Sequence, residues 1–228
     1  MYTNVNLAAP VGVLAFLGTG FLLFVVGLVL IYSLLRKRLG LTKLALLGIA
    51  LVAGLYLVCL LVFSFASSEK VLARGEEKHF CEIDCHLAYS ISDVRETKTL
   101  GDAPDQLTAA GTFRVVTIKT RFDETTTSLN RGDGLLYPNS RVVTVSDENG
   151  NTYFPSSEAH GLLEKSQAAD TLMTIPLRPG ESYSTTLVFD LPADLKSPTL
   201  LVREGELVTY FVIGHENSPL HKKTRFQI

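Results

Sequence analysis

The segment Cys81-Glu82-Ile83-Asp84-Cys85-His86 holds the densest set of chemically capable side chains in the chain. Four chemistries fit it to different degrees. The first is a local disulfide. An extended strand would hold the two cysteines about 13 Å apart, whereas a disulfide needs Cα atoms within about 7 Å, so bonding requires a turn between Phe80 and Cys85. The second is copper. Soft thiolates with an imidazole suit Cu(I) or a copper electron-transfer centre. The candidate ligands are Cys81, Cys85, His86 and His221, with His215 as a further imidazole from the C-terminal tail. The third is covalent haem, whose Cys-x-x-Cys-His signature is one residue shorter than this spacing. The fourth is a redox dithiol, against which Glu82 and Asp84 act by raising thiol pKa.

The compartment decides among these, and two apolar stretches set the compartment. Val11–Leu35 and Leu44–Ser68 contain no charged residue, and each exceeds the roughly 20 apolar residues that cross a bilayer. Between them lies Arg36-Lys37-Arg38-Leu39-Gly40-Leu41-Thr42-Lys43. Residues 1–68 therefore read as a transmembrane hairpin with helices over about 11–35 and 44–68 and a loop over 36–43. The cations hold that loop in the cytoplasm, so both termini and everything after Ser68 are expected outside it, at a bacterial inner membrane. There, thiols pair or ligate. Cys59 lies inside the second apolar stretch and acts as a small apolar filler. Met1–Pro10 carries no cation, and the first apolar run is too long for a cleaved signal peptide. With no ionisable residue within either stretch, the hairpin reads as an anchor rather than a transport path. Ala50 and Gly54 form one small-xxx-small pair, a mark of close helix contact.

After Ser68 the pattern changes to short alternating runs separated by turn residues. Residues 69–86 read as a juxtamembrane connector carrying the Cys/His segment, and residues 87–228 as a β-sandwich domain with a polar tail. Strands are expected over His86–Arg95, Thr112–Phe122, Arg141–Ser146, Thr152–Phe154, Ser182–Asp190, Thr199–Val202 and Leu207–Ile213. A loop is expected over Gly101–Gly111. Asn149-Gly150 marks a hairpin turn, and Ala159–Ala169 has room for one or two helical turns. About seven short strands with regular turns argue for an antiparallel β-sandwich. Gly214–Lys223 reads as a solvated extension. Arg131-Gly132-Asp133 spells an adhesion tripeptide but reads as a turn. Asp123, Glu124, Asp133, Asp147 and Glu148 lie near loops without calcium-loop spacing. A net charge of −2 offers no footprint for nucleic acid. The five histidines occur in no HExxH or nucleophile-elbow context.

The run Gly111-Thr112-Phe113-Arg114-Val115-Val116-Thr117-Ile118 resembles the GxFxxVxV strand of a bacterial family of immunoglobulin-like sandwiches of unknown function. Val145–Tyr153, Leu177–Ser182 and Val188–Pro192 resemble its later motifs in the same order. That family is similar in fold to a secreted mycobacterial immunoprotective antigen. The resemblance covers roughly Leu87–Ile213 and implies an extracytoplasmic sandwich without known catalysis and without an inherited site. The Cys-x-x-x-Cys spacing also resembles the binuclear copper loop of cytochrome oxidase subunit II, which has a two-helix anchor before its β-domain. Here Tyr89 stands where that loop has histidine and Ser92 where it has methionine. The segment also precedes the domain, whereas the oxidase loop lies late in its own.

The expectation is a membrane-anchored extracytoplasmic immunoglobulin-like sandwich that binds or assembles with a protein partner at the outer face of the bilayer. It is not expected to be an enzyme or to need a cofactor. The alternative is a copper or redox protein acting through Cys81, Cys85 and His86.

Overall fold

The computed structural model describes residues 1–81, 85–127, 130–166 and 173–228. Two compact units result: Val5–Ser68 with Leu207–Lys222, and Met1–Asn4 with Glu69–Glu206 and Lys223–Ile228.

The first unit is built on α1 (Ala9–Leu35) and α2 (Leu39–Phe65). Pro10 lies in the first turn of α1, where its missing N–H breaks no helical bond. The helix stops at Arg36, whose N–H reaches Tyr32 O, and Lys37 turns the chain with φ +51°. The connecting loop is shorter than the expected 36–43. Thr42 Oγ1 donates to Arg38 O at 3.2 Å and lies 2.9 Å from Ser33 Oγ, so helix begins again at Leu39 and takes in Lys43. Of the most apolar 18-residue window, 0% is buried in α1 and 6% in α2, the reverse of a soluble core helix. Ala50 and Gly54 do not mark the contact between the helices. A Cβ at Gly54 would meet nothing within 4 Å, whereas one at Gly48 would touch Val26 Cγ1 at 3.6 Å.

The last part of this unit departs from the sequence expectation. Leu207–Phe211 is a 3-10 helix, not a strand. Gly214, at φ +78°, bends the chain in a way that extended backbone cannot. The expected solvated tail is compact instead, with His215, Glu216, Asn217 and Ser218 all buried. Three of them bond within the segment itself: Asn217 N–H donates to His215 Nδ1 at 2.9 Å, Asn217 Nδ2 to Thr209 Oγ1 at 2.8 Å and Ser218 Oγ to Val212 O at 2.7 Å.

The second unit contains β1 (Tyr2–Thr3), β2 (Lys70–Leu72), β3 (Lys78–Phe80), β4 (Leu87–Leu100), β5 (Leu107–Phe122), β6 (Arg141–Ser146), β7 (Thr152–Tyr153), α3 (Ser157–Ser166), β8 (Ser182–Leu191), β9 (Thr199–Glu204) and β10 (Thr224–Gln227). They form two five-stranded sheets, ordered β1-β3-β4-β5-β8 and β2-β10-β9-β6-β7. The pairing is antiparallel except for β1 with β3 and β2 with β10, which run parallel. Alternation along β5 turns Val116, Ile118, Thr120 and Phe122 inward, each fully buried. They pack with Tyr89, Ile91, Phe189, Val145, Val202 and Phe226 from both sheets into one core. A smaller cluster of Leu100, Ala109, Phe113, Val115 and Val188 is covered by Ala159 of α3.

The connector expected over 69–86 is therefore part of the sandwich, because β2 and β3 join opposite sheets. The expected Gly101–Gly111 loop narrows to the stretch between β4 and β5, with Gly111 inside β5. The Asn149-Gly150 turn forms as expected, with Gly150 at φ +84°. The expected helix over Ala159–Ala169 begins earlier, at Ser157, and its last expected residues lie outside the described ones. β10, which the sequence reading did not anticipate, pairs with β9.

Candidate functional site

Cys81 directly follows β3, and Cys85 stands just before β4. Their sulfurs are bonded, and their Cα atoms lie 4.0 Å apart. The chain thus doubles back here and closes the β3–β4 hairpin. Glu82, Ile83 and Asp84 lie outside the described residues. Cys81 N–H donates to Asn4 Oδ1 at 2.8 Å, and Asn4 Nδ2 donates to Glu204 Oε1 at 2.8 Å. A residue near the N-terminus therefore links the cross-linked hairpin to β9.

A charged network flanks the disulfide. His79, on β3, stands opposite Ala88 of β4, which stands opposite Arg121 of β5. Opposite residues share a face of the sheet. The small Ala88 side chain lets groups from β3 and β5 meet over it. His79 Nε2 lies 3.0 Å from Asp123 Oδ2. Arg121 donates to Glu77 through two nitrogens, at 2.8 and 2.7 Å, and to Asp123 Oδ1 at 3.3 Å. Asp123 also caps the short 3-10 helix Glu124–Thr126, accepting from Thr125 N–H at 3.1 Å and Thr125 Oγ1 at 2.7 Å. An Asp at such a cap satisfies a backbone donor left open by the turn. Burial acts to raise the Asp123 carboxyl pKa. Hydrogen bonds from Thr125 and His79 and the Arg121 charge outweigh it and hold the group well below the usual carboxylate range. For Glu77, the hydrogen bonds from Arg121 lead and lower its pKa against burial. The same pairing with Glu77 raises that of Arg121.

Among the described residues, Glu77, His79 and Asp123 form the group whose potential metal-ligand atoms all lie within 4.8 Å of one another. The Arg121 guanidinium already supplies a cation to both carboxylates. A metal ion there would have to displace a two-pronged ion pair, the strong form of this interaction. The donor set is thus satisfied as a structural clasp. Its remaining unpartnered atom is the buried His79 Nδ1.

The sequence-predicted ligands are only partly brought together. Cys81 and Cys85 are bonded to each other, so the cross-linked pair offers no thiolate. The His86 ring stacks on Phe122 with centroids 5.2 Å apart, and its Nδ1 lies 2.5 Å from Thr126 Oγ1. His215 and His221 belong to the helical unit. There, His215 Nδ1 accepts from Asn217 N–H at 2.9 Å and His221 Nδ1 donates to Lys222 O at 2.6 Å. Two of the loop acids are likewise occupied. Asp147 accepts from Asn149 N–H, Asn151 N–H and Asn151 Nδ2 at 2.7–2.9 Å. Asp133 pairs with Arg178 at 3.1 Å, and Arg131 of the tripeptide donates to Gly134 O at 2.6 Å.

A second polar cluster, missed in the sequence, lies between the sheets. Lys78 is fully buried, and its Nζ donates to Val202 O at 2.9 Å and Thr224 O at 3.0 Å. Arg141 is buried opposite Glu204 in the β6–β9 register. Its guanidinium lies 4.4 Å from the Phe80 ring centroid and donates to Tyr89 Oη at 3.2 Å. Buried charges require such pairing, because removing them from water is costly. The available signal was the alternation of Lys78 with Phe80 on one face of β3.

The chain is thus a two-sheet β-sandwich that carries two long apolar helices. No protein-family model matches it, and no curated protein matches it. Among solved structures it is similar to a conserved hypothetical protein from Bacillus anthracis, with 15% identity over 59% of this chain and 90% of that one and a TM-score of 0.42. It is also similar to a secreted protein from Mycobacterium tuberculosis, with 14% identity, 71% and 100% coverage and a TM-score of 0.41. The yjhA protein from Bacillus subtilis gives 12% identity, 70% and 99% coverage and a TM-score of 0.41.

Proposed function

We propose that this is a non-catalytic, membrane-anchored protein of the bacterial inner membrane whose immunoglobulin-like sandwich binds or assembles with a protein partner outside the cytoplasm. The observation that carries the anchor is the apolar surface of α1 and α2, where Leu14, Phe21, Phe24, Leu51, Leu55 and Phe65 among others are exposed. Each such side chain left in water forgoes roughly 1.5–3 kcal/mol, whereas lipid restores that term. The Cys81–Cys85 cross-link supports an oxidising compartment. The motifs at Gly111–Ile118, Val145–Tyr153, Leu177–Ser182 and Val188–Pro192 support kinship with the bacterial immunoglobulin-like sandwiches.

The binding role is supported by what the polar clusters do. Glu77, His79, Arg121 and Asp123 serve one another, and so hold the fold rather than present a nucleophile or an open metal position. The surface left for recognition is loops and, among the described residues, the strands that end the two sheets, β1, β8, β2 and β7; on β8 Ser156 N–H already takes Val188 O at 2.7 Å, so pairing with a partner strand falls on the rest of that edge.

Alkaline carbonate extraction of membranes, followed by metal analysis and thiol counting on protein purified without chelator, tests this reading. The expected outcome is a membrane-retained protein with one free thiol, Cys59, and no stoichiometric metal. Release by carbonate would overturn the anchor. Stoichiometric copper that disappears on Cys81→Ser would overturn the binding role in favour of copper chemistry at Cys81, Cys85 and His86.

A further inference from the structure

The segment Leu207–Lys222 packs with the two apolar helices. Tyr56 Oη of α2 donates to Phe211 O. A Cβ added at Gly12 of α1 would meet Ile213 O at 2.7 Å. Asn6 N–H donates to Gly214 O at 2.9 Å, Asn6 Nδ2 to Phe63 O at 2.7 Å, and Lys222 N–H to Ser67 Oγ at 2.8 Å. The segment is therefore fastened along the helices rather than only at their ends.

Its depth follows from the helix rise. The Ser33–Thr42 hydroxyl contact fixes one level of the hairpin, beside its cationic turn. Tyr56 stands about 21 Å further along α2 at 1.5 Å per residue. The hydrocarbon of a bilayer is about 30 Å thick. Phe211 is thus held at a level that acyl chains of the far leaflet would occupy.

The segment's polarity is inverted relative to a water-facing loop. Leu207, Val208 and Phe211 are 75%, 49% and 55% exposed, while Glu216, Asn217 and Ser218 are buried. Thr209, Val212 O, His215 and Asn217 accept or donate hydrogen bonds within the segment. Apolar groups outward and backbone and polar groups satisfied inward is the arrangement that hydrocarbon demands of non-helical chain.

We propose that Leu207–Lys222 is a third membrane-embedded element, a re-entrant segment whose 3-10 helix presents Leu207, Val208 and Phe211 to the acyl chains of the outer leaflet. This rests on the reading of α1 and α2 as a membrane anchor. It adds that the chain re-enters the bilayer between β9 and β10, so that anchoring segments lie on both sides of Glu69–Glu206 in sequence.

The chain contains no tryptophan, so a single introduced indole reports its own surroundings. Full-length Phe211→Trp, Leu207→Trp and Phe24→Trp proteins are reconstituted into phosphatidylcholine vesicles brominated either near the headgroup or near the chain end. Phe24, midway along α1, is expected to lose most of its emission to the deep bromines. Phe211→Trp and Leu207→Trp are expected to lose most of theirs to the shallow bromines, with emission shifted to the blue and iodide in the water without effect. Quenching of both by iodide and not by bromolipid, with Phe24→Trp still quenched by lipid, would overturn the re-entrant segment and leave the anchor standing. Shielding of both from iodide and bromine alike would mean that protein covers the segment, and would overturn it too. No lipid quenching at Phe24→Trp would overturn the anchor itself.

Discussion

His79 Nε2 and Asp123 Oδ2 meet at 3.0 Å across the intervening strand β4, and each is a partner the other cannot replace from solvent. Both side chains are nearly buried, at 7% and 10% exposure. Removing one leaves the other with an unmet polar atom in low dielectric.

Asp123→Asn is accordingly expected to lower stability by about 1–3 kcal/mol at neutral pH. The Asp123 carboxyl titrates below its ordinary value when folded. Its contribution is then fully present above the unfolded carboxylate pKa of about 4 and is lost as pH falls below that value. Glu77 shifts in the same direction. Thermal melts of wild type and variant should differ most between pH 5 and pH 7 and draw together progressively as pH falls from about 4 towards the depressed folded value. A constant difference throughout would show that the carboxylate charge contributes nothing.

The Cys81–Cys85 bond closes a loop with a sequence separation of 4. For so short a loop, chain entropy gives about 2 kcal/mol. Cys81→Ser with Cys85→Ser should lower the unfolding free energy by about that amount while leaving the sandwich folded. Peptide mapping of alkylated native protein should find Cys81 and Cys85 linked and Cys59 alkylated only after denaturation in detergent. Free thiols at both positions in protein isolated from membranes would remove the cross-link from the native state.

Asn4 joins Cys81 N–H to Glu204 and lies within hydrogen-bonding reach of His79 O, at 3.1 Å. Asn4→Ala removes the side-chain acceptor of the buried Cys81 N–H and one donor to the buried Glu204 carboxylate. We expect a loss of about 1–3 kcal/mol, comparable to that of Asp123→Asn although both apolar helices separate the residue from its partners in sequence. Denaturant melts of the two variants compare them directly. A change under a few tenths of a kcal/mol, the scale of ordinary surface substitutions, would show that the N-terminal strand is dispensable.

Much of this architecture was legible because single-residue chemistry enforces it. Charge-free runs of this length favour helices with apolar surfaces, and Asn149-Gly150 favours a tight turn. What stayed hidden depends on partners distant in sequence. β1 is two residues long and has no periodicity to read; it exists because β3 is there to pair with it. The His79–Asp123 pair spans 44 positions, and nothing local at His79 distinguishes it from a polar connector residue. Leu207–Ile213 has the composition of a strand, yet β9 takes β10 as its neighbour, and the apolar stretch folds onto the helices instead. The cysteine segment showed its residue types but not its bonding, which required the chain to reverse within five positions.

Gly111 shows why one of the family-like motifs has the residues it has. A Cβ placed there would lie 1.9 Å from Leu191 O and 3.0 Å from Pro192 Cα. Two separate stretches of the pattern, Gly111 in β5 and Leu191-Pro192 at the end of β8, are thus in backbone contact. Gly111→Ala should force the strands apart and cost about 1–3 kcal/mol, the range of overpacking. Gly54→Ala, where nothing lies within 4 Å, serves as the tolerated comparison in the same melts. Equal stabilities would mean that β5 and β8 yield more readily than their backbone contact implies.

Orientation can be tested apart from any of these energies. Arg36, Lys37, Arg38 and Lys43 cluster at one end of the hairpin, and Met1–Pro10 has no Lys or Arg side chain to oppose them. Loops rich in Lys and Arg are retained in the cytoplasm. Both helix ends remote from that turn, and therefore the sandwich, should then lie outside. A reporter active only in the cytoplasm should be silent when fused to Ile228, and one active only outside should give signal. Replacing the four cations by Gln should mix the two signals, because the bias that fixes the hairpin would be gone. Cytoplasmic signal from the unaltered fusion would reverse the orientation. It would also remove the oxidising compartment on which the Cys81–Cys85 cross-link depends, leaving the reduced pair beside His86 as a set of thiolate and imidazole ligands.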